Sequence, residues 1–183
     1  MYKLLPQLPH VPDEICNAVD LYRRPARGEV GTSTPRYLRN WFGREMESLK
    51  NTGVKFEPFE TWVKANITDK FLDARINYIL YDRTDGVHES IGAHSDGMRN
   101  FTILYNIQNG GPNATTCFWK EQGEPLRRPR FTQGEDLTRL IYLDGINIPE
   151  RTWCLLDSRI LHSVEFITAT RISFQISMDE HPW

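Results

Sequence analysis

From residue 71 onward the chain breaks into short runs rich in β-branched and aromatic residues: ARINYILYD, FTILYNI, TTCFW, RLIYLDG, TWCLLD and RISFQISM. Turn clusters such as DRTDG, QNGGPN and SRIL separate them. Runs of this length are too short for stable helices, and their residue types suit a pleated, half-buried surface. No helical periodicity lies between them, which argues for antiparallel sheets stacked as a sandwich or jelly roll rather than for βαβ units.

The segment before this β core reads differently. VPDEICNAVDLYRR offers Asp13 as an N-cap, with Ile15, Val19 and Leu21 or Tyr22 on one face. STPRYLRNWFGREMESLKN offers Thr34 as a cap and Pro35 at the first helical position. EPFETWVKANI predicts a short third helix after Pro58. No linker or repeat divides the 183 residues, a length that suits one core. The expectation is therefore a single domain over 1–183: a mainly helical support over 1–70, packed on one sheet of a two-sheet β core over 71–183.

Composition limits the function classes. Hydrophobic residues at 39% and charged residues at 25% fit a globular domain. A net charge of −2 provides no global field to capture nucleic acid. Cys16, Cys117 and Cys154 lie far apart without a C-x-x-C, matching neither a zinc knuckle nor a disulfide framework. No sustained apolar stretch marks a leader or a membrane span, so a reduced, cytoplasmic setting is expected.

Within SIGAHSDGMRNFTILYN, His94 and Asp96 stand two positions apart, just before an apolar run. On an extended segment such a pair shares one face and can reach one ion together. His162, in LLDSRILHSV, supplies a second imidazole after a strand and a turn. Two imidazoles and one carboxylate with open positions make the facial set that suits non-haem Fe(II). His10 and His181 lie near the termini, and His88 in DGVHES is the competing ligand. Arg171 opens the apolar strand RISFQISM nine positions beyond His162. Burying a guanidinium there is costly unless an anion meets it, and its fork matches a carboxylate. Ser173 shares its face and could add a hydroxyl. The alternative is a strand-end arginine, exposed or paired with Asp157 or Glu165.

HSD at 94–96, His162 and RIS at 171–173 together resemble the H-x-D…H and R-x-S elements of the 2-oxoglutarate/Fe(II)-dependent oxygenases. RNFTILYNI is similar to the strand that follows H-x-D in prolyl-hydroxylase-like members, and GGPNATTCFW to their GGET-x-F, with an insertion. The resemblance covers residues 74–178. It implies a double-stranded β-helix, a cupin-like jelly roll, with Fe(II) on His94, Asp96 and His162. It also implies 2-oxoglutarate on Arg171 and Ser173, and consumption of O2 with release of succinate and CO2 as a C–H bond is hydroxylated. Members that halogenate replace the carboxylate by a small residue, so Asp96 disfavours that chemistry. A tyrosine often supports the co-substrate; Tyr78, Tyr81 and Tyr105 are candidates, with Tyr81 and Tyr105 preferred.

The substrate is less constrained. The expected range is an amino acid, a peptide or protein side chain, or a small metabolite. RINYILYDRTDGVHESIGAHSD also resembles AlkB-type nucleic-acid dealkylases, but their second arginine, six positions after the first, is Ser177 here. With the acidic net charge, that makes nucleic acid an unlikely partner. Arg127 and Arg128, in the basic stretch before the RLIYLDG strand, and Trp119 just upstream are candidate substrate contacts. They compete with a solvated loop and a packing aromatic. A non-catalytic jelly-roll binding module remains the alternative from another class.

Overall fold

The structure is a computed structural model that describes residues 1–19, 51–79, 81, 86–96, 99–123 and 137–182. Its elements, in chain order, are β1 (Tyr2–Leu4), α1 (Asp13–Asn17), β2 (Asn51–Lys55), α2 (Glu57–Asn66), β3 (Asp73–Ile79), β4 (Glu89–His94) and β5 (Phe101–Asn109). They continue with β6 (Thr115–Glu121), β7 (Leu140–Ile146), β8 (Trp153–Asp157), β9 (Leu161–Ile167) and β10 (Arg171–Met178). The main sheet runs β1-β8-β5-β10-β3-β2 and the smaller one β4-β9-β6-β7. From β3 to β10 the chain passes repeatedly from one sheet to the other, and every described pairing is antiparallel. This is a jelly roll.

All six runs picked out in the sequence form strands. β4 and β9 lack so clear a signature because His, Ser and Glu interrupt their apolar residues. The first 70 residues, expected to be mainly helical, also contribute the short edge strands β1 and β2, which pair with β8 and β3. They are too short to show a period of two. α1 starts at Asp13 with Pro12 in the capping position, so Asp13 lies in the first turn instead of capping it. The second expected helix, with Thr34 and Pro35, lies outside the described residues.

The main sheet is buried on both faces, and its two faces differ. β10 shows this most clearly, since all eight of its residues are buried. Ile172, Phe174, Ile176 and Met178 join Ile76, Tyr78, Ile103, Tyr105, Trp153 and Leu155 in the larger core. α2 closes that core: Phe59 stacks on Phe174 at 4.1 Å, and Trp62 lies parallel to Trp153 at 6.3 Å between ring centroids. Each such ring removed from water contributes about 1.5–3 kcal/mol. The alternate residues Arg171, Ser173, Gln175 and Ser177 point between the two sheets and are also buried. There they meet a smaller apolar cluster of Leu104, Phe118, Ile148, Cys154 and Leu156. A polar strand face inside a sandwich costs free energy unless it is paired, so this inter-sheet face is where a ligand site is expected.

At the far end of the roll, the β5–β6 turn needs its glycines. Gly110 and Gly111 have φ of +88° and +112°. The Gly110 carbonyl accepts from the amides of Thr168 and Ala169, and a Cβ on Gly111 would collide with the Thr168 hydroxyl.

Candidate metal centre

β4 and β9 are neighbours, and their register sets His94 directly opposite His162. β4 ends at His94, so Asp96 is not on the strand. It sits in the following loop, where its amide donates to the Ser158 carbonyl at 2.9 Å. Ser158 belongs to the β8–β9 turn that leads into His162, and its hydroxyl lies 2.6 Å from that of Thr102. One turn thus sets the positions of both the distal histidine and the carboxylate.

His94, Asp96 and His162 offer one ligand atom each, all within 4.8 Å of one another. His94 Nε2 lies 3.9 Å from Asp96 Oδ1, and His162 Nε2 lies 3.7 Å from Asp96 Oδ2. Each ring is oriented from behind: His94 Nδ1 donates to the Gly92 carbonyl and His162 Nδ1 to the Ile160 carbonyl, both at 2.8 Å. A carbonyl only accepts, so Nδ1 carries the proton and Nε2 keeps its lone pair facing the carboxylate. Burial, followed by the neighbouring His94, lowers the pKa of His162 and favours the neutral, ligating form. Donor type, tautomer and spacing all fit a divalent cation held by two nitrogens and one oxygen.

Asp96 has a further partner. Arg99 donates to its Oδ2 from Nε at 3.0 Å and from Nη2 at 2.8 Å. Nη1 reaches the Ser177 hydroxyl at 3.3 Å. Arg99 was not among the residues expected at the site, although its place three positions after Asp96 is visible in the sequence. Tyr2, from edge strand β1, connects to the centre through a ring: it stacks on Phe118 at 5.6 Å, and Phe118 in turn lies 6.5 Å from His162 between centroids. Nothing in the residue pattern around Tyr2 signals this.

The other expected residues are distributed as follows. Arg171 is 3% exposed and extends between the sheets, with Nη2 3.4 Å from Thr116 Oγ1 on β6. Among the described residues no carboxylate lies within ion-pair distance of it. Burial pulls its pKa from 12.5 down to about 10. Ser173 is buried on the same face, opposite Asn106, whose Oδ1 is buried without a hydrogen-bond partner among the described residues. The Tyr81 hydroxyl donates to the Val87 carbonyl at 2.9 Å. Tyr105 lies on the helix-covered face, opposite Phe174 and beside Trp153, away from Arg171 and Ser173. Tyr78 is on that face too, with its hydroxyl on the Val19 carbonyl. Trp119 alternates with Phe118, so it faces away from His162; its Nε1 donates to the Ser163 hydroxyl at 2.9 Å. His88 packs against Phe166 rather than joining the ligand group. Arg127 and Arg128 lie outside the described residues.

No described helix is long and apolar enough to cross a membrane. No protein-family model matches the sequence, and no curated protein matches it. Among solved structures, the chain is similar to a prolyl-4-hydroxylase from Pseudomonas putida, at 10% identity and a TM-score of 0.40, over 98% of this chain and 93% of that one.

Proposed function

We propose that the protein is an Fe(II)- and 2-oxoglutarate-dependent dioxygenase that hydroxylates a C–H bond of an amino acid, a peptide or protein side chain, or a small metabolite. The observation that carries this reading is one shared interior. His94, Asp96 and His162 stand at one end of the inter-sheet space, and the buried Arg171 extends into it without a carboxylate partner among the described residues. An uncompensated buried guanidinium is strongly unfavourable, which supports an anion as its partner.

In this reading His94 and His162 hold the cation through Nε2, and Asp96 holds it through a carboxylate oxygen. Arg171 takes the distal carboxylate of 2-oxoglutarate as a two-point donor, with Ser173 and Asn106 as polar neighbours. Leu104, Cys154 and Leu156 line the same space and keep water from it. Bound iron supplies the site for oxygen activation, coupled to oxidation of the co-substrate to succinate and CO2.

The test is anaerobic titration of the purified protein with Fe(II) or Mn(II) and then 2-oxoglutarate, followed by aerobic assay for succinate with candidate substrates. Saturable binding of both, and succinate formed with an added oxygen atom in the substrate, is expected. Failure to bind 2-oxoglutarate in the metal-loaded protein overturns the reading.

A further inference from the structure

Beside Asp96, two guanidiniums converge on a neutral amide. Arg75 comes from β3 and Arg99 from the loop before β5, and both reach Gln175 on the inner face of β10. The hydrogen-bond network orients the Gln175 amide with its oxygen toward them: it accepts from Arg75 Nη2 at 3.0 Å and from Arg99 Nη2 at 3.1 Å.

This arrangement is expensive and specifically built. Arg75 and Arg99 side chains are only 20% and 16% exposed. Burial, then the charge of Arg99, lowers the pKa of Arg75, which marks two like charges held close together. A purely structural network would place a carboxylate between them, where an amide oxygen supplies only a dipole. Among the described residues the carboxylate paired with Arg75 is that of Asp73, whose Oδ2 lies 3.3 Å from Nε but out of hydrogen-bond alignment, so that the Nε–H is buried there without an acceptor. Among the described residues the carboxylate paired with Arg99 is that of Asp96, which a bound cation would share. Room for the Arg75 side chain depends on β2: a Cβ on Gly53 would stand 2.6 Å from Arg75 Cδ and 2.9 Å from its Nε.

We infer that Arg75 and Arg99 form an oxyanion subsite next to the metal-binding group, and that the substrate is a small molecule or chain end bearing a carboxylate. Arg75 recognises that carboxylate, while Arg99 spans it and Asp96. The planar guanidinium forks match a planar carboxylate better than a neutral polar group. Two donors beside the ligand group would fix the distance from the carboxylate to the carbon presented to the centre. The inference rests on the dioxygenase reading for its substrate role, but the subsite itself is a property of this chain's residues.

The test uses the full-length chain loaded with Zn(II) and saturating 2-oxoglutarate, titrated with propionate and, separately, with its neutral isostere propionamide, by ligand-observed NMR. Propionate is expected to bind without displacing 2-oxoglutarate, and propionamide about tenfold or more weakly. Arg75→Gln is expected to weaken propionate about tenfold. Gly53→Ala, which keeps the charge but pushes Arg75 out of its channel, weakens propionate in the same direction and serves should Arg75→Gln fail to fold. Replacing Zn(II) by Mn(II) should broaden the propionate signals, placing the acid near the metal. Equal binding of acid and amide, unchanged affinity in both variants, or release of 2-oxoglutarate by propionate each overturns the inference. A chain that binds neither metal nor 2-oxoglutarate fails the dioxygenase reading alone; the subsite then stands or falls on the Arg75 dependence of propionate binding to the metal-free protein.

Discussion

His94 and His162 face each other across the β4–β9 ladder, with ring centroids 4.6 Å apart and both Nδ1 atoms donating to backbone carbonyls. The pair is locked in position by two strands before any ion arrives, and only Asp96 depends on a loop. Replacing any one of the three by alanine should therefore weaken metal binding by more than the roughly 10–100-fold typical of losing an outer-sphere partner. The stabilisation of the protein by added Mn(II), read as a rise in melting temperature, should vanish with it. A variant that keeps the full metal-induced rise would remove that residue from the ligand set.

The lowered pKa of His162 gives the metal-free protein a pH dependence with a definite sign. The folded-state value lies below the ordinary 6.5, so the unfolded chain takes up a proton first as pH falls. Stability from this group is fully present above 6.5 and is lost as pH falls through the folded value. Urea midpoints in the presence of a chelator, measured between about pH 5 and 8, should decline at the acid end. His162→Gln should flatten that decline. Metal affinity should fall over the same range, because a protonated imidazole has no lone pair to give.

Arg171 separates folding from ligand binding. Its guanidinium is buried and, among the described residues, makes one long hydrogen bond, to Thr116. Even a buried ion pair replaced by apolar side chains of similar volume is often neutral or stabilising by about 1–4 kcal/mol, and a buried charge without a carboxylate partner has less to lose. Arg171→Met should therefore melt no lower than the parent protein in the absence of co-substrate. It should also lose the additional stabilisation that 2-oxoglutarate gives the metal-loaded parent, while its Mn(II) affinity stays within a few-fold. Parallel melting curves with metal alone and with metal plus 2-oxoglutarate check both halves.

How far the sequence reveals this arrangement depends on the range over which each feature is fixed. RISFQISM announces its own two faces, because alternation is local: four apolar residues turn to the helices, and Arg171, Ser173, Gln175 and Ser177 turn inward. His94 and Asp96 are legible as a pair, but the strand ends between them, and the hydrogen bond from the Asp96 amide to the Ser158 carbonyl joins residues far apart in the chain. β4 and β9 escape a propensity reading because the polar side chains that serve the site interrupt their apolar runs. The faces of Tyr105 and Trp119 follow from register, and β5 and β6 both carry irregularities that local alternation does not reveal. Arg75 and Arg99 meet only because β3 and the start of β5 flank β10 on opposite sides. That is a property of the topology, which no short motif encodes.

The two faces of the main sheet should also separate experimentally. Phe59 is fully buried, stacks on Phe174, and lies near Trp153 on the helix-covered face. No ligand atom is on that side of the sheet. Phe59→Ala removes a ring from a packed core and should cost about 3–5 kcal/mol, the range for deleting a buried aromatic. For a chain of this length that lowers the melting temperature by roughly 6–20 °C. Because β10 transmits packing from one face to backbone position on the other, the sharper question is whether the site moves. β9 and β4, which carry the histidines, belong to the smaller sheet and do not touch Phe59, so Mn(II) affinity measured well below the melting temperature should stay within a few-fold of the parent. A large loss of metal binding in the still-folded variant would mean that the α2 core, and not the β4–β9 ladder, sets the geometry of the centre.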